Sequence, residues 1–413
     1  MLIIRAATTK LQGEVSLPAS KSICNRVLVI RSLSGDSFDV KNISTANDSQ
    51  NLLENLEKLK DKSSKIKKLD VGPAGTNMRF LMSVLVVIDG EYVLQGSERM
   101  HQRPVKELVK ALRALGADIE YTGEDGFPPL KVKNGDMTGG HVEMNAEVSS
   151  QFISSLMMIG PVLPRGLKIK LNGEVVSRPY IDMTARIMKS CGARVSWQEN
   201  LVTIEPGGYH REEDFFVEAD WSAASYWYAM ASLSSSSNLV LNGLQHESLQ
   251  GDSVLKDWFR EFGIVTEFSD NQARILKKSN PAIKAFEKDL KNNPDLAQTF
   301  IVLLSALEVK GRLSGLETLR IKETDRIEAM KIEMAKFGVE LFTENDVVTI
   351  PAVRPAFSDT RIETWHDHRM AMAMSLLSYR ITPLYIEDEG VVAKSYPGFW
   401  DDLKTLGFQI DKV

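Results

Sequence analysis

Cysteine is nearly absent: Cys24 and Cys191 are the only two in 413 residues, and they stand far apart in the chain. That excludes a disulfide framework and a cysteine-clustered zinc site, and leaves both as inert core thiols. Histidine is scarce as well, at six. His366, Asp367 and His368 together suggest a metal, but they lack the two-histidine, one-turn spacing of a zinc helix, so no metal is expected. Long apolar runs are also missing. The longest, such as residues 81–88, fall far short of the roughly 20 residues that span a bilayer, and no membrane span is expected. Nor is there an excess of basic charge: 50 Lys and Arg against 55 Asp and Glu leave a net charge of -5. Broad nucleic-acid binding needs a basic surface, so any cationic site here must be local. Residues 1–15 alternate like a strand and lack the basic, apolar, small-residue order of a secretory signal, so the protein is expected to stay in the cytoplasm.

What is present is ordinary for a globular protein: 43 % hydrophobic and 25 % charged residues. A chain of this length exceeds one hydrophobic core, which favours two domains or one large α/β body.

One pattern recurs along it: an amphipathic helix, a glycine, then a short alternating strand. In residues 105–121 the stripe Val105, Leu108, Val109, Leu112 and Leu115 is helical, and Gly116 stops it. Gly192, Gly263, Gly338 and Gly407 follow similar helices at residues 181–191, 254–262, 326–337 and 400–406. These glycines recur at a period of roughly seventy residues, which reads as an internal duplication. Residues 51–60 form a degraded sixth copy, with Leu52, Leu53, Leu56 and Leu59 on one face and no glycine. Residues 58–68 are charge-dense and read as a solvated surface turn.

Polar and cationic residues gather where the apolar periodicity pauses, at predicted helix starts. Lys21, Ser22 and Arg26 precede or enter the apolar run from Val27, where free N–H groups and the helix dipole favour anions. Gly72-Pro73-Ala74-Gly75-Thr76 is a glycine turn before a helix but lacks the Gly-Lys-Ser/Thr ending of a Walker A loop. Ser149-Ser150-Gln151 precedes residues 152–159. Lys322-Glu323-Thr324-Asp325-Arg326 opens the helix ending at Phe337, with Thr324 the expected N-cap, and Asp367-His368-Arg369 precedes residues 370–377. Read singly, each is a capped helix start with solvated charges.

Taken in order, they make a series. It comprises residues 21–26, Ala74-Gly75-Thr76 with Arg79, residues 99–104, Ser149-Ser150-Gln151 and residues 177–182. Asp220 with residues 222–226, residues 322–326, residues 367–370 and Ala393-Lys394 complete it. This series resembles the 5-enolpyruvylshikimate-3-phosphate synthase family of enolpyruvyl transferases. The resemblance implies an α/β fold of two similar domains, each of three βαβαββ repeats in an inside-out α/β barrel, with the active site in the interdomain cleft. Residues 1–19 and 219–413 would form one domain, with the donor carboxylate clamp and the acid/base residues. Residues 20–218 would form the other, which binds shikimate 3-phosphate.

The implied reaction moves the enolpyruvyl group of phosphoenolpyruvate to the 5-hydroxyl of shikimate 3-phosphate, with no cofactor. By resemblance, Asp295, Glu323, Lys21 and Lys322 are catalytic. Lys21, Ser22, Arg26, Ser149, Ser150, Gln151, Ser177, Asp295 and Lys322 would contact shikimate 3-phosphate. Lys21, Gly75, Arg103, Gln151, Arg326, Arg369 and Lys394 would contact phosphoenolpyruvate, and glyphosate would compete for that site beside Gly75. Pro73, Phe80 and a shortened segment before Gly72 depart from the family pattern, as does the lack of an asparagine near Thr318. A monomer is expected. The alternatives are a UDP-N-acetylglucosamine enolpyruvyl transferase, disfavoured because Ser22 follows Lys21 and no cysteine lies near Arg103, or a catalytically silent anion-binding scaffold.

Overall fold

The computed structural model describes residues 1–5, 9–61, 66–147, 149–356 and 359–413. These divide into two compact units. The first contains Met1–Ser20, Thr45–Asn47 and Glu218–Val413, and the second contains Lys21–Ser44 and Asp48–Val217.

Both are built from one motif: strand, helix, parallel strand, helix, antiparallel hairpin. In the second unit the strands Ile66–Asp70, Glu91–Gln95, Asp118–Tyr121 and Leu130–Lys133 make a sheet whose order is first, second, fourth, third. The strands Gly140–Asn145, Leu167–Asn172, Val195–Gln198 and Leu201–Ile204 repeat that order. The first unit holds two further copies, one starting at Lys10–Ser16 and continuing through Ser236–Asn242, Ile264–Ser269 and Gln272–Lys277. The other runs from Ala285–Asp289 to Val347–Ile350. Its third copy is completed from the far end of the chain. Leu2–Arg5 takes the fourth-strand place between Leu384–Ile386 and Gln409–Lys412, with Leu2 opposite both Ile386 and Lys412.

The sixth copy is cut short. Phe215–Phe216 pairs in parallel with Val40–Lys41, and among the described residues this sheet has only those two strands. The helix expected at residues 51–60 is present as Asn47–Lys60, but with no stopping glycine the next strand, Ile66–Asp70, opens the following copy instead of a hairpin. Of the turn expected at residues 58–68, Lys58 and Lys60 lie in the helix and residues 66–68 in the next strand, while residues 62–65 fall outside the described residues. Residues 1–15 likewise hold not one strand but two, in different sheets.

The two helices of each copy differ for a physical reason. The second is amphipathic and lies over a sheet. Its glycine stop has φ of 104° at Gly116 and 88° at Gly192, backbone that L side chains avoid. The first helix is buried nearly all round, the mark of a helix surrounded by other elements. Every residue of Ala297–Ala306 and His368–Met374 is buried. In Gly75–Leu85, Ser150–Ile159 and Trp221–Leu233 the single exception is the second residue: Thr76, Gln151 and Ser222. These helices pack on one another, Ser150–Ile159 against Gly75–Leu85 and Ala297–Ala306 against both Trp221–Leu233 and His368–Met374. Helices thus form the centre of each unit and sheets its outside. No helix among the described residues is long and apolar enough to cross a membrane. Cys24 and Cys191 are free and buried.

Candidate active site

Because each first helix follows a parallel strand, its N-terminus carries the polar residues that its apolar body cannot. In the second unit these N-termini are tied together. Lys21 opens the helix Lys21–Leu33, and its ammonium meets Asp48, in the first turn of Asn47–Lys60, at 2.9 Å. Asp48 was not foreseen; nothing local in the sequence marks it as the partner of Lys21. Asn77 donates to the Asp48 carbonyl at 2.7 Å and accepts from Asn25 at 3.1 Å, while Ser49 donates to Asn25 at 2.6 Å. Three helix starts are therefore locked by buried amides. Gln151 donates to the Thr76 hydroxyl at 3.1 Å, joining a fourth helix start to that of Gly75–Leu85.

Ser149 is the N-cap of Ser150–Ile159, accepting from the Gln151 N–H at 3.3 Å, so Ser150 and Gln151 lie inside the helix rather than before it. Ser177 precedes Arg178–Ser190 in the left-handed region, with φ of 54°. A non-glycine residue there carries strain of the kind that collects at functional sites. Ser22 lies in the first turn beside Lys21.

Arg26 sits a turn deeper than expected and is buried. Its guanidinium donates to the Ser22 and Tyr180 carbonyls at 2.7 and 3.3 Å and to Thr184 and Ser154 at 2.7 and 3.3 Å. Burial pulls it down to about 10. Arg103 is also buried and donates to the Pro73 carbonyl at 3.3 Å. Its guanidinium lies directly against Gly75: a Cβ at position 75 would stand 2.6 Å from both terminal nitrogens. Glycine at 75 is what lets Arg103 reach this helix start.

In the first unit Arg326 is the centre. It is fully buried, and its three nitrogens each take a carboxylate: Asp367 at 2.7 Å from Nε, Asp295 at 2.9 Å from Nη1 and Glu323 at 2.9 Å from Nη2. A planar fork of donors suits such a triple contact. Burial would lower its pKa, but the charges of Asp367, Glu323 and Asp295 outweigh that and raise it. Asp295 also meets Arg369 at 3.0 Å and lies 4.0 Å from the Lys322 ammonium. Burial alone would raise the Asp295 carboxyl; the cations Arg369, Lys322 and Arg326 prevail and hold it well below the usual carboxylate range. Lys394 donates to the His366 carbonyl at 2.5 Å.

The helix expected to be capped by Thr324 is capped one residue later. Asp325 accepts from the Ile327 and Glu328 N–H groups, both at 3.1 Å and both on Oδ1. Asp367 caps the next central helix, accepting from the Arg369 N–H at 2.8 Å while it holds Arg326. His368 is buried with Nδ1 at 3.7 Å from Asp367. His366 points elsewhere, to Asp388 at 2.9 Å.

Behind Asp295 lies a buried carboxyl that sequence reading missed. Asp252 accepts from the Ser222 hydroxyl at 2.5 Å and from the Asn293 amide at 2.9 Å, two residues before Asp295. Burial, reinforced by the Asp295 charge, pushes it up to about 6 against the hydrogen bonds from Asn293 and Ser222 and the pull of Arg369. Its signal in the sequence is only an aspartate in a polar turn.

The structure thus gathers Lys21, Ser22, Gly75, Arg103 and Gln151 with Ser149, Ser150 and Ser177 at helix starts of the second unit. It gathers Asp295, Lys322, Glu323, Arg326 and Arg369 at those of the first, with Lys394 seated beside them on His366. In the first unit's set the cations Arg326, Arg369 and Lys322 are met by Asp295, Glu323 and Asp367, and the second unit's set places Lys21 and Arg103 at or near helix starts, where backbone N–H groups favour anions.

Comparison with known proteins points one way. A family model described as EPSP synthase (3-phosphoshikimate 1-carboxyvinyltransferase) matches residues 6–403. A 3-phosphoshikimate 1-carboxyvinyltransferase of Bacteroides fragilis is 42% identical over 419 residues, covering 99% of both chains. One from Aliivibrio fischeri is 35% identical, covering 96% of this chain and 97% of the relative. The fold matches that of EPSP synthase from Acinetobacter baumannii with a TM-score of 0.78 at 20% identity, over 100% of this chain and 99% of the other. It also matches the enolpyruvyl transferase NikO from Streptomyces tendae, with a TM-score of 0.76 at 14% identity over 99% and 98%. With a full-length relative this similar and the family model spanning nearly the whole chain, the protein belongs to the EPSP synthase family.

Proposed function

We propose that this protein transfers the enolpyruvyl group of phosphoenolpyruvate to the 5-hydroxyl of shikimate 3-phosphate, releasing phosphate. The observation that carries this reading is the 42% identity to a 3-phosphoshikimate 1-carboxyvinyltransferase over 99% of both chains. The geometry supports it from each unit separately. Lys21, Ser22, Ser149, Ser150, Gln151 and Ser177 hold shikimate 3-phosphate, with Asp295 and Lys322 completing its contacts. Arg26, bonded beneath that surface to Thr184 and Ser154, supports it from below. Gly75, Arg103 and Lys394 receive the phosphate of phosphoenolpyruvate, which Lys21 and Gln151 also reach, while Arg326 and Arg369 clamp its carboxylate.

In the reaction a proton adds to the methylene carbon of phosphoenolpyruvate, and the 5-hydroxyl oxygen bonds to its central carbon as that hydroxyl loses its proton. The resulting tetrahedral adduct then expels phosphate and returns a proton from its methyl group. Asp295 and Glu323 serve these transfers, with Lys322 beside them, and Lys21 takes part from the second unit. Asp295 is kept ionised by three cations, so in the unliganded protein it carries no proton to give.

We further place the protein in the cytoplasm as a monomer, which size-exclusion chromatography with light scattering checks. The functional test is phosphate release with each substrate omitted in turn. Release that requires both phosphoenolpyruvate and shikimate 3-phosphate is expected. Release with UDP-N-acetylglucosamine in place of shikimate 3-phosphate would overturn the assignment.

A further inference from the structure

Three left-handed, non-glycine residues meet at one place in the first unit: Trp365 with φ of 54°, His366 with 52° and Asp388 with 47°. A bulky side chain in that region is uncommon, and two in succession persist only where the surroundings hold them. The bend they make has two products. It brings Asp367 onto the N-terminus of His368–Met374, where it caps the Arg369 N–H and holds Arg326. It also turns the His366 carbonyl toward the Lys394 ammonium, 2.5 Å away. The His366 ring reaches Asp388 at 2.9 Å, and Asp388 is the residue from which the segment Glu389–Lys394 starts.

What holds the bend is a buried carboxylate with no part in the proposed chemistry. Glu333 is fully buried. One of its oxygens accepts the Trp365 indole N–H at 2.9 Å, and the other accepts the Glu363 N–H at 3.2 Å and meets Lys336 at 2.8 Å. Glu333 lies in Arg326–Ala335, the helix whose first residue bonds Asp367. That helix is therefore fastened to the segment around the bend at both ends, by Arg326 to Asp367 and by Glu333 to Glu363 and Trp365.

We propose that Glu333 and Trp365 are positioning residues for the donor substrate, clamping the strained bend that aims Arg369 and seats Lys394. The inference rests on the reading above in which these two cations receive phosphoenolpyruvate. Trp365→Phe keeps an aromatic side chain but removes the indole donor together with its five-membered ring, which packs on the core. Glu333→Gln keeps the shape and removes the charge, leaving the Glu363 N–H and Lys336 facing a donor or a neutral oxygen.

The test compares both variants with wild type in steady-state kinetics, varying each substrate in turn, alongside thermal melting and amide hydrogen exchange. Loss of one buried hydrogen bond should raise KM for phosphoenolpyruvate on the order of fivefold to tenfold. KM for shikimate 3-phosphate should stay near wild type, the melting midpoint should fall by no more than the few degrees that one buried hydrogen bond is worth, and amides of residues 366–369 and 389–394 should exchange faster. The proposal is overturned if KM for phosphoenolpyruvate stays within about twofold of wild type in both variants, below the effect of one such bond. It is overturned equally if both KM values rise together with a lowered midpoint, or if exchange in those segments is unchanged. A wild-type protein that releases no phosphate would refute the functional reading instead, and the exchange result would still decide this one.

Discussion

Asp252 offers a test of the electrostatics that needs no substrate. In an unfolded chain an aspartate loses its proton near 3.9, whereas in the folded protein burial and the Asp295 charge hold that of Asp252 to about 6. Between those two values the folded state binds more protons than the unfolded state. The contribution of Asp252 to stability is therefore intact below about pH 4 and is lost as pH rises through about 6, by roughly 3 kcal/mol in all. Asp252→Asn is neutral at every pH and escapes that loss. It carries its own cost of about 1 kcal/mol, because its amide must face either Ser222 or Asn293, both of which donate to Asp252 in the wild type. That cost does not depend on pH, so the comparison across pH isolates the charge.

The measurement is the melting temperature of both proteins from pH 4 to pH 8. At about 2–4 °C per kcal/mol for a unit of this size, the variant should gain several degrees on wild type between the two ends. Its advantage should appear mainly between pH 4 and 6 and level off above. A difference between the two proteins that is flat with pH would refute the argument, since it would mean that Asp252 titrates alike folded and unfolded. A difference of opposite slope would mean that the pull of Arg369 outweighs burial.

Glu323→Gln keeps an oxygen for Arg326 Nη2 and should retain much of the substrate binding while losing turnover by on the order of a hundredfold or more; turnover within about threefold of wild type removes Glu323 from proton transfer. Gly75→Ala places a methyl carbon 2.6 Å from the Arg103 nitrogens, so the guanidinium must shift. Glyphosate, titrated at fixed phosphoenolpyruvate, should inhibit this variant less than wild type, and KM for phosphoenolpyruvate should rise as well; equal inhibition of the two proteins sinks the placement of Gly75.

The repeat was legible because its second helices advertise themselves. An amphipathic stripe closed by a glycine at φ near 100°, as at Leu108, Leu112 and Gly116, is a local signal. The first helices, which carry Lys21, Gly75, Gln151 and Arg369 of the candidate site, gave no such stripe, since burial on nearly all sides erases the polar face that periodicity needs. Their starts were visible only as polar interruptions at Lys21, Gly75, Ser150 and Asp367. Long-range pairing was not legible at all: nothing in Leu2–Arg5 says that its partners are Leu384–Ile386 and Gln409–Lys412. The buried acids were missed for a related reason. Asp48, Asp252 and Glu333 carry no local mark in the sequence, and only tertiary packing decides that Asp252 and Glu333 lie inside.

The acids also explain how cationic helix starts coexist with a stable fold. Without compensation, Arg326, Arg369 and Lys322 would repel one another at close range, and each would retain a cost of burial. Asp295, Glu323 and Asp367 supply that compensation, as Asp48 does for Lys21. An anionic ligand that takes up Arg326 or Arg369 must therefore compete with carboxylates already in place. A singly charged ligand gains little from such an exchange, because it replaces one carboxylate by another. A ligand with a carboxylate and a phosphate gains more, because it engages both ends of the cation set at once. The exchange also moves negative charge toward Asp295 and Asp252, which favours their protonated forms. If the donor binds Arg326 and Arg369 as proposed, its binding and the movement of a proton are linked through the same four residues, Arg326, Arg369, Asp295 and Asp252, whichever group first receives the proton.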